Sequence, residues 1–215
     1  MIKFDNVIFD FDGTIADTSE GIIETLRYTL EKMLGSSSEF SDETLSKFIG
    51  PALTDSFQKI TGLTAEQAER AVEIYREHYV QGSIYKCKVF DGTEEILQLL
   101  NERKIKTGVA SSKPHYQLVN VIEKLGLTKY FDVIDGARDD INSNKADGIR
   151  RATTGQNPIM VGDSVYDIFG ANAVGIPCIA LGYGFGDNEE MKGYAPAYFA
   201  NSVEELKQIL LQITE

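Results

Sequence analysis

Hydrophobic positions change their rhythm twice along the chain. Val7, Ile8 and Phe9 are a short apolar run of strand-forming residues that stops at Asp10-Phe11-Asp12-Gly13-Thr14, where Asp-Gly marks a turn. The run predicts a buried strand that ends in a polar loop. From Thr18 to about Tyr85 the spacing becomes helical, with Ile22, Ile23, Leu26, Leu30 and Met33 on one stripe and Ala68, Ala71, Val72, Tyr75 and Tyr79 on another. Thr64 and Gln67 have the spacing of a capping box at the start of the second stripe, and Gly35-Ser36-Ser37-Ser38 and Gly50-Pro51 separate helices. This stretch predicts a small all-helical unit.

After Gly82 helices and strands alternate. The pattern predicts helix Thr93 to Arg103, strand Lys106 to Ala110, helix Pro114 to Leu125, strand Phe131 to Ile134 and helix Lys145 to Ala152. It goes on with strand Ile159 to Val161, helix Val165 to Val174, strand Pro177 to Leu181, a short strand near Tyr198, and a helix from Val203 capped by Ser202 and Glu205. Such alternation implies an α/β fold with a doubly wound parallel sheet, helices covering both faces. A single strand cannot form that sheet without the later ones, so the helical unit is an insertion. Residues 1–16 and 86–215 are expected to form the α/β unit, and 17–85 the insert.

Composition narrows the functional classes. With 215 residues and 42% hydrophobic content the chain can bury a substantial core, in one or two domains. A net charge of −12 repels phosphate backbones and anionic membrane surfaces, which disfavours nucleic-acid and membrane partners. Cys87 and Cys178 are too few for a disulfide framework, and no apolar stretch approaches the roughly 18 residues of a transmembrane helix. Met1-Ile2-Lys3-Phe4-Asp5 lacks the pattern of a secretory leader, so a reducing cytoplasm is the expected location.

In an open parallel sheet ligands bind beyond the carboxyl ends of the strands. Those positions carry Asp10 and Asp12 after the first strand, Ser111 and Ser112 after the second, and Gly162-Asp163-Ser164 with Asp167 after the fourth, while Lys145 opens a helix between them. Each has an ordinary structural reading, as a turn, an N-cap or a solvated charge. Their combination points to chemistry. A spacing of two lets the Asp10 and Asp12 carboxylates face one pocket, and Asp10 lies between Phe9 and Phe11, where an unpartnered charge is expensive. If Asp10, Asp12, Asp163 and Asp167 converge against Lys145, about three negative charges are in excess. Like charges about 4 Å apart repel by about 4 kcal/mol at an effective dielectric of 20.

Such a cluster needs a cation, and hard oxygen ligands select magnesium over zinc. The expected site is one Mg2+ held by Asp10 and Asp163, completed by a backbone carbonyl, waters and a substrate oxygen. A carboxylate beside such an ion, with hydroxyl and ammonium donors around it, suits phosphoryl transfer. Asp10 would attack phosphorus to give an aspartyl phosphate, and Asp12 would protonate the leaving alkoxide and then deprotonate the hydrolytic water.

Asp10-Phe11-Asp12-Gly13-Thr14, Ser111, Lys145 and Gly162-Asp163-Ser164-Val165-Tyr166-Asp167 resemble the four ordered motifs of the haloacid dehalogenase superfamily. Their order, with a helical insert after the first, is similar to the phosphoglycolate phosphatase and 5'-nucleotidase-like branch. The resemblance implies a Rossmann-like core with a helical cap, Asp10 as nucleophile, Asp12 as acid/base and carbonyl metal ligand, and Asp163 as carboxylate metal ligand. It further implies that Ser111, with its neighbour Ser112, binds the phosphoryl group, that Lys145 steadies nucleophile and phosphate, and that Asp167 supports the metal. Dehalogenases of the superfamily lack an acid at the place of Asp12, so phosphoester hydrolysis is expected instead. Two departures are visible: Ala146 follows Lys145 where relatives often have proline, and the segment from Thr153 to Pro158 is short.

The resemblance leaves substrate choice to the insert acting as a mobile cap, with Ile49-Gly50-Pro51-Ala52-Leu53 as a loop able to face the pocket. Gly182, Gly184 and Gly186 mimic part of a dinucleotide fingerprint but follow a late strand; His115 reads as a capping or surface residue and His78 as structural. The leading expectation is a Mg2+-dependent phosphatase of a small phosphorylated metabolite, such as phosphoglycolate or a nucleoside monophosphate, acting as monomer or homodimer. Alternatives are a phosphotransferase resembling β-phosphoglucomutase and a non-catalytic binding module on the same fold.

Overall fold

Val7, Ile8 and Phe9 are buried on both sides, as a central strand of a parallel sheet requires. In a computed structural model, which describes residues 3–138 and 144–214, they belong to strand β1 (Asn6–Phe9). Short strand β2 (Ala16–Asp17) follows, then helices α1 (Ser19–Leu34), α2 (Asp42–Ser46), α3 (Leu53–Thr61) and α4 (Ala65–Tyr79). Strand β3 (Lys88–Val89) pairs with β2 in a separate two-stranded sheet. The rest alternates: α5 (Thr93–Glu102), β4 (Lys106–Pro114), α6 (His115–Lys124), β5 (Val133–Ala137), α7 (Lys145–Ala152), β6 (Pro158–Gly162), α8 (Val165–Val174), β7 (Cys178–Leu181), α9 (Asn188–Gly193), β8 (Tyr198–Ala200) and α10 (Val203–Ile213).

The main sheet has the order β5-β4-β1-β6-β7-β8 and is parallel throughout. Chain order runs outward in both directions from β1, which sets Asn6 beside Lys106 on one flank and Pro158 on the other. One face, with Ile8, Ala110 and Met160, packs on Ile149 and Ala152 of α7, Ile168 and Ala171 of α8, and Met191 of α9. The other face, with Val7, Phe9, Val109 and Val161, is equally buried, with α5 packed against β4 and α10 against β8. Burying one such side chain contributes about 1.5–3 kcal/mol. The fold is thus the doubly wound α/β sheet with a helical insertion after its first strand.

Contacts divide the chain into two compact units, one of residues Met1–Asp17 with Val89–Glu215 and the other of Thr18–Lys88. Within the helical unit Thr64 and Gln67 form both bonds of the capping box, and Ala68, Ala71, Val72, Tyr75 and Tyr79 are all buried. Along α1 the buried stripe is Ile22, Thr25, Leu26, Thr29 and Leu30, while Ile23 and Met33 are only partly covered. The threonines can take those places because each hydroxyl donates to the carbonyl four residues earlier, Thr25 to Gly21 and Thr29 to Thr25.

Other boundaries also differ from the sequence pattern. Strand β4 continues through Ser111, Ser112 and Lys113 instead of stopping at Ala110, and β5 begins at Val133 instead of Phe131. A one-turn 3-10 helix at Thr128–Tyr130 takes up the residues before β5, where the Asp132 carboxylate accepts the Thr107 N–H and pairs with Lys106. Helix α9, capped by Asp187, has too short an apolar pattern to be read from sequence. No helix among the described residues is long and apolar enough to cross a membrane.

Candidate active site

Strand order reverses at β1, where parallel sheets bind their ligands, and the polar residues converge beyond the carboxyl ends of β1, β4 and β6. Asp10 extends the β1 ladder by one bond, its N–H donating to the Val161 carbonyl at 2.9 Å. The chain then turns sharply, the Phe11 carbonyl accepting N–H bonds from Thr14, Ile15 and Ala16. The Asp10 carboxylate accepts the Phe11 N–H at 2.7 Å on Oδ1 and meets the Lys145 ammonium at 2.9 Å on Oδ2.

Lys145 is the first residue of α7, whose N-cap, Asn144, accepts the Asp147 N–H. Its Nζ bridges Asp10 and the Asp167 Oδ1, at 2.7 Å from the latter. The helix is tied to β5 by a fork of bonds from Arg151 to the buried Asp135 carboxylate, which Arg138 also reaches. Asp167 is fully buried in the first turn of α8, where its Oδ2 accepts both the N–H and the hydroxyl of Ser164. Asp163, after β6, accepts the Thr14 hydroxyl at 3.2 Å on Oδ1 and the Phe185 N–H at 2.7 Å on Oδ2.

Asp10, Asp163 and Asp167 each offer a carboxylate oxygen, all within 4.8 Å of one another. Asp12 stands apart from that trio and pairs with Lys113, whose Nζ lies 3.1 Å from its Oδ1. Lys113 is 8% exposed, a buried cation that the charge count from sequence left out. Four carboxylates against two ammoniums leave an excess of two negative charges, not three. Ser111 is buried beside it and accepts the Lys113 N–H, leaving its own hydroxyl proton for another acceptor. Ser112 alternates to the opposite side of the strand and is exposed, so its side chain does not join the cluster. The signal that could have found Lys113 is the same period of two, continued from Ser111.

The electrostatics record this crowding. Burial pushes the Asp10 carboxyl up to about 6; Lys145 opposes the rise, while Asp167 and Asp12 add to it. Asp163 lies well above the ordinary carboxylate range, through burial first and then the charges of Asp167 and Asp10, with the Phe185 N–H and Lys145 offsetting part. Burial pulls against the charge on Lys145, yet Asp10 and Asp167 hold its ammonium above its usual range. The arrangement is a water-poor set of hard oxygen donors short of positive charge, and a divalent cation of the magnesium type fits it.

The remaining sequence candidates have structural partners. His115 Nδ1 accepts the Gly136 N–H at 3.3 Å, and His78 stacks on Tyr28 within the helical unit at 3.8 Å. Gly182, Gly184 and Gly186 lie in the loop after β7, with no helix until Asn188.

Comparison with known proteins agrees with this geometry. The family model for haloacid dehalogenase-like hydrolases matches residues 7–181. A 5'-nucleotidase of Pseudomonas aeruginosa is 30% identical over 97% of this chain and 96% of its own length. The pyrophosphatase PpaX of Halalkalibacterium halodurans is 28% identical over 97% of this chain and 98% of its own. Among solved structures, a predicted phosphatase from Clostridium acetobutylicum superposes with a TM-score of 0.90 at 35% identity, covering 98% of this chain and 99% of that one. With the sheet, the insertion and the converging carboxylates in agreement, the chain belongs to the haloacid dehalogenase-like hydrolase family.

Proposed function

We propose that the protein is a Mg2+-dependent phosphatase that hydrolyses small phosphomonoesters through an aspartyl phosphate on Asp10. The observation that carries this reading is the trio Asp10, Asp163 and Asp167 around the Lys145 ammonium, at the strand ends of a phosphatase-like fold. Asp10 and Asp163, with the Asp12 carbonyl, would hold Mg2+, which supplies positive charge against the phosphoryl oxygens and the nucleophile. Asp167 is held by Ser164 and paired with Lys145, so its part is to fix Lys145 and the surrounding shell.

Lys145 and the Ser111 hydroxyl bind the phosphoryl oxygens and hold phosphorus in line with the Asp10 carboxylate. Asp10 attacks phosphorus while Asp12 donates a proton to the departing alkoxide, leaving phosphoaspartate and an ionised Asp12. Asp12 then takes a proton from water as that water attacks the same phosphorus, releasing phosphate and regenerating Asp10. Lys113, beside Asp12, fixes the carboxylate in place through both half-reactions. Ser112, with its exposed side chain, is left out of this scheme.

Nucleoside 5'-monophosphates are one candidate among small phosphorylated metabolites, since one relative is named a 5'-nucleotidase, and phosphoglycolate is another. Substrate choice belongs to the helical unit, residues 18–88, with the segment Ile49 to Leu53 as its specificity loop, and the setting is a monomer or homodimer in the cytoplasm. The test is turnover of an aryl phosphate by purified protein with and without Mg2+, followed by phosphoglycolate, nucleotides and hexose phosphates. Mg2+-dependent phosphate release that disappears in Asp10→Asn is expected. Isomerised hexose phosphate without free phosphate would favour a mutase, and no turnover across the panel would refute the enzyme.

A further inference from the structure

The glycines after β7 have no part in the chemistry above, yet two of them are packed on Asp163. A Cβ on Gly184 would lie 2.3 Å from the Asp163 Cβ and 2.4 Å from its Oδ2, and a Cβ on Gly186 would lie 2.0 Å from the Asp163 carbonyl oxygen. Real Cβ contacts do not come so close, and the clashing atoms are backbone or a short buried side chain that cannot swing away. Only glycine permits this approach. Between the two glycines, Phe185 delivers its N–H to Asp163 Oδ2 at 2.7 Å.

The same loop is anchored at its other end. Tyr183 is half-buried, donates to the Thr14 carbonyl at 3.4 Å and meets the Phe90 ring edge-on at a centroid distance of 5.2 Å. Thr14 in turn donates to Asp163 Oδ1. Both oxygens of Asp163 are therefore directed by donors from two loops that also touch each other.

We propose that the loop Gly182-Tyr183-Gly184-Phe185-Gly186 is a positioning element that orients the Asp163 carboxylate for the metal, through the Phe185 amide and the glycine contacts. This rests on Asp163 being a metal ligand, as in the function proposed above. Outer contacts of a ligating carboxylate typically change metal affinity by about 10–100-fold. The loop is thus part of the metal site's construction, and Gly184 and Gly186 report close packing on Asp163, not a dinucleotide fold.

The experiment measures Mg2+ binding calorimetrically on substrate-free protein, so that the readout is independent of turnover. An amide-to-ester replacement at residue 185 removes the N–H while keeping the Phe side chain, Phe185→Ala keeps the N–H while removing the ring, and Gly184→Ala inserts the clashing Cβ. Near-ultraviolet circular dichroism checks that each is folded. The ester and Gly184→Ala are expected to weaken Mg2+ binding by about 10–100-fold, with Phe185→Ala within about 3-fold of the parent. An ester that binds like the parent, or a Phe185→Ala loss as large as the ester's, overturns the loop's role while leaving the metal reading intact. If the unmodified protein binds no Mg2+, the metal reading fails, and the loop's role with it.

Discussion

Removing one charge from the carboxylate trio should make the metal-free protein more stable while abolishing its function. In Asp163→Asn the side chain keeps its shape and loses its repulsion with Asp10 and Asp167. With oxygens within 4.8 Å, each like-charge pair repels by about 3.5 kcal/mol at an effective dielectric of 20, so about 7 kcal/mol is at stake. The hydrogen bonds from the Phe185 N–H and Thr14, weaker to a neutral acceptor, and Lys145, which lowers the same energy from the other side, together offset roughly two thirds of this, the Phe185 bond more than Lys145. The net expectation is a gain of about 2 kcal/mol, or a Tm rise of about 4–8 °C for a chain of this size.

The assay is thermal unfolding in a chelating buffer over a series of rising pH, repeated with Mg2+. At a hundred times its Kd, Mg2+ should stabilise the parent by about 2.7 kcal/mol and the variant hardly at all. Acidification gives a second check on sign. The folded-state values of Asp10, about 6, and Asp163 lie above the ordinary 3.8, so the folded protein keeps protons that the unfolded chain has released. Metal-free stability must then fall as pH rises from about 4 through those values, with Asp10 alone contributing roughly 3 kcal/mol, and level off above them. The advantage of Asp163→Asn should vanish below about pH 4, where the parent is neutral too. A variant that melts at or below the parent in chelator on the alkaline plateau, where the parent's stability has stopped falling with pH, would refute the reasoning.

Further outcomes follow from the two buried ammoniums and from the anchor of α7. Lys145→Met leaves Asp10 and Asp167 without their shared cation and should lower metal-free stability by about 3–5 kcal/mol in denaturant melts, with recovery on acidification. Lys113→Met removes the partner of Asp12 and should reduce kcat by about 100-fold in the aryl phosphate assay, the low end of what a positioned acid/base group contributes. Arg151→Met leaves the buried Asp135 carboxylate with Arg138 alone, and a loss of about 3 kcal/mol is expected by urea unfolding.

The carboxylates were legible in the chain because strand ends in a parallel sheet are where ligands bind, and Asp10, Asp12, Asp163 and Asp167 stand at or just beyond them. Lys113 was not, for a local reason. Ending β4 at Ala110 discards the alternation that places Ser111 and Lys113 inside and Ser112 outside. The start of β5 slipped because Phe131 is as apolar as a strand residue, whereas the Asp132 contact with Thr107 holds the preceding turn. Contacts made by backbone, such as the Phe185 amide on Asp163, leave only the glycines around them as a trace.

The position of β1 constrains how the protein can be made. Asn6 pairs with Lys106 and Pro158, so the first strand to leave the ribosome waits longest for its partners. The helices of residues 18–88 pack among themselves and emerge in between. Vectorial synthesis therefore lets the inserted helices settle early, while the sheet closes only after β6 has cleared the exit tunnel. Until β4 emerges an apolar strand is unpaired, and until β6 does one of its edges stays open, an interval in which the nascent chain is exposed to aggregation.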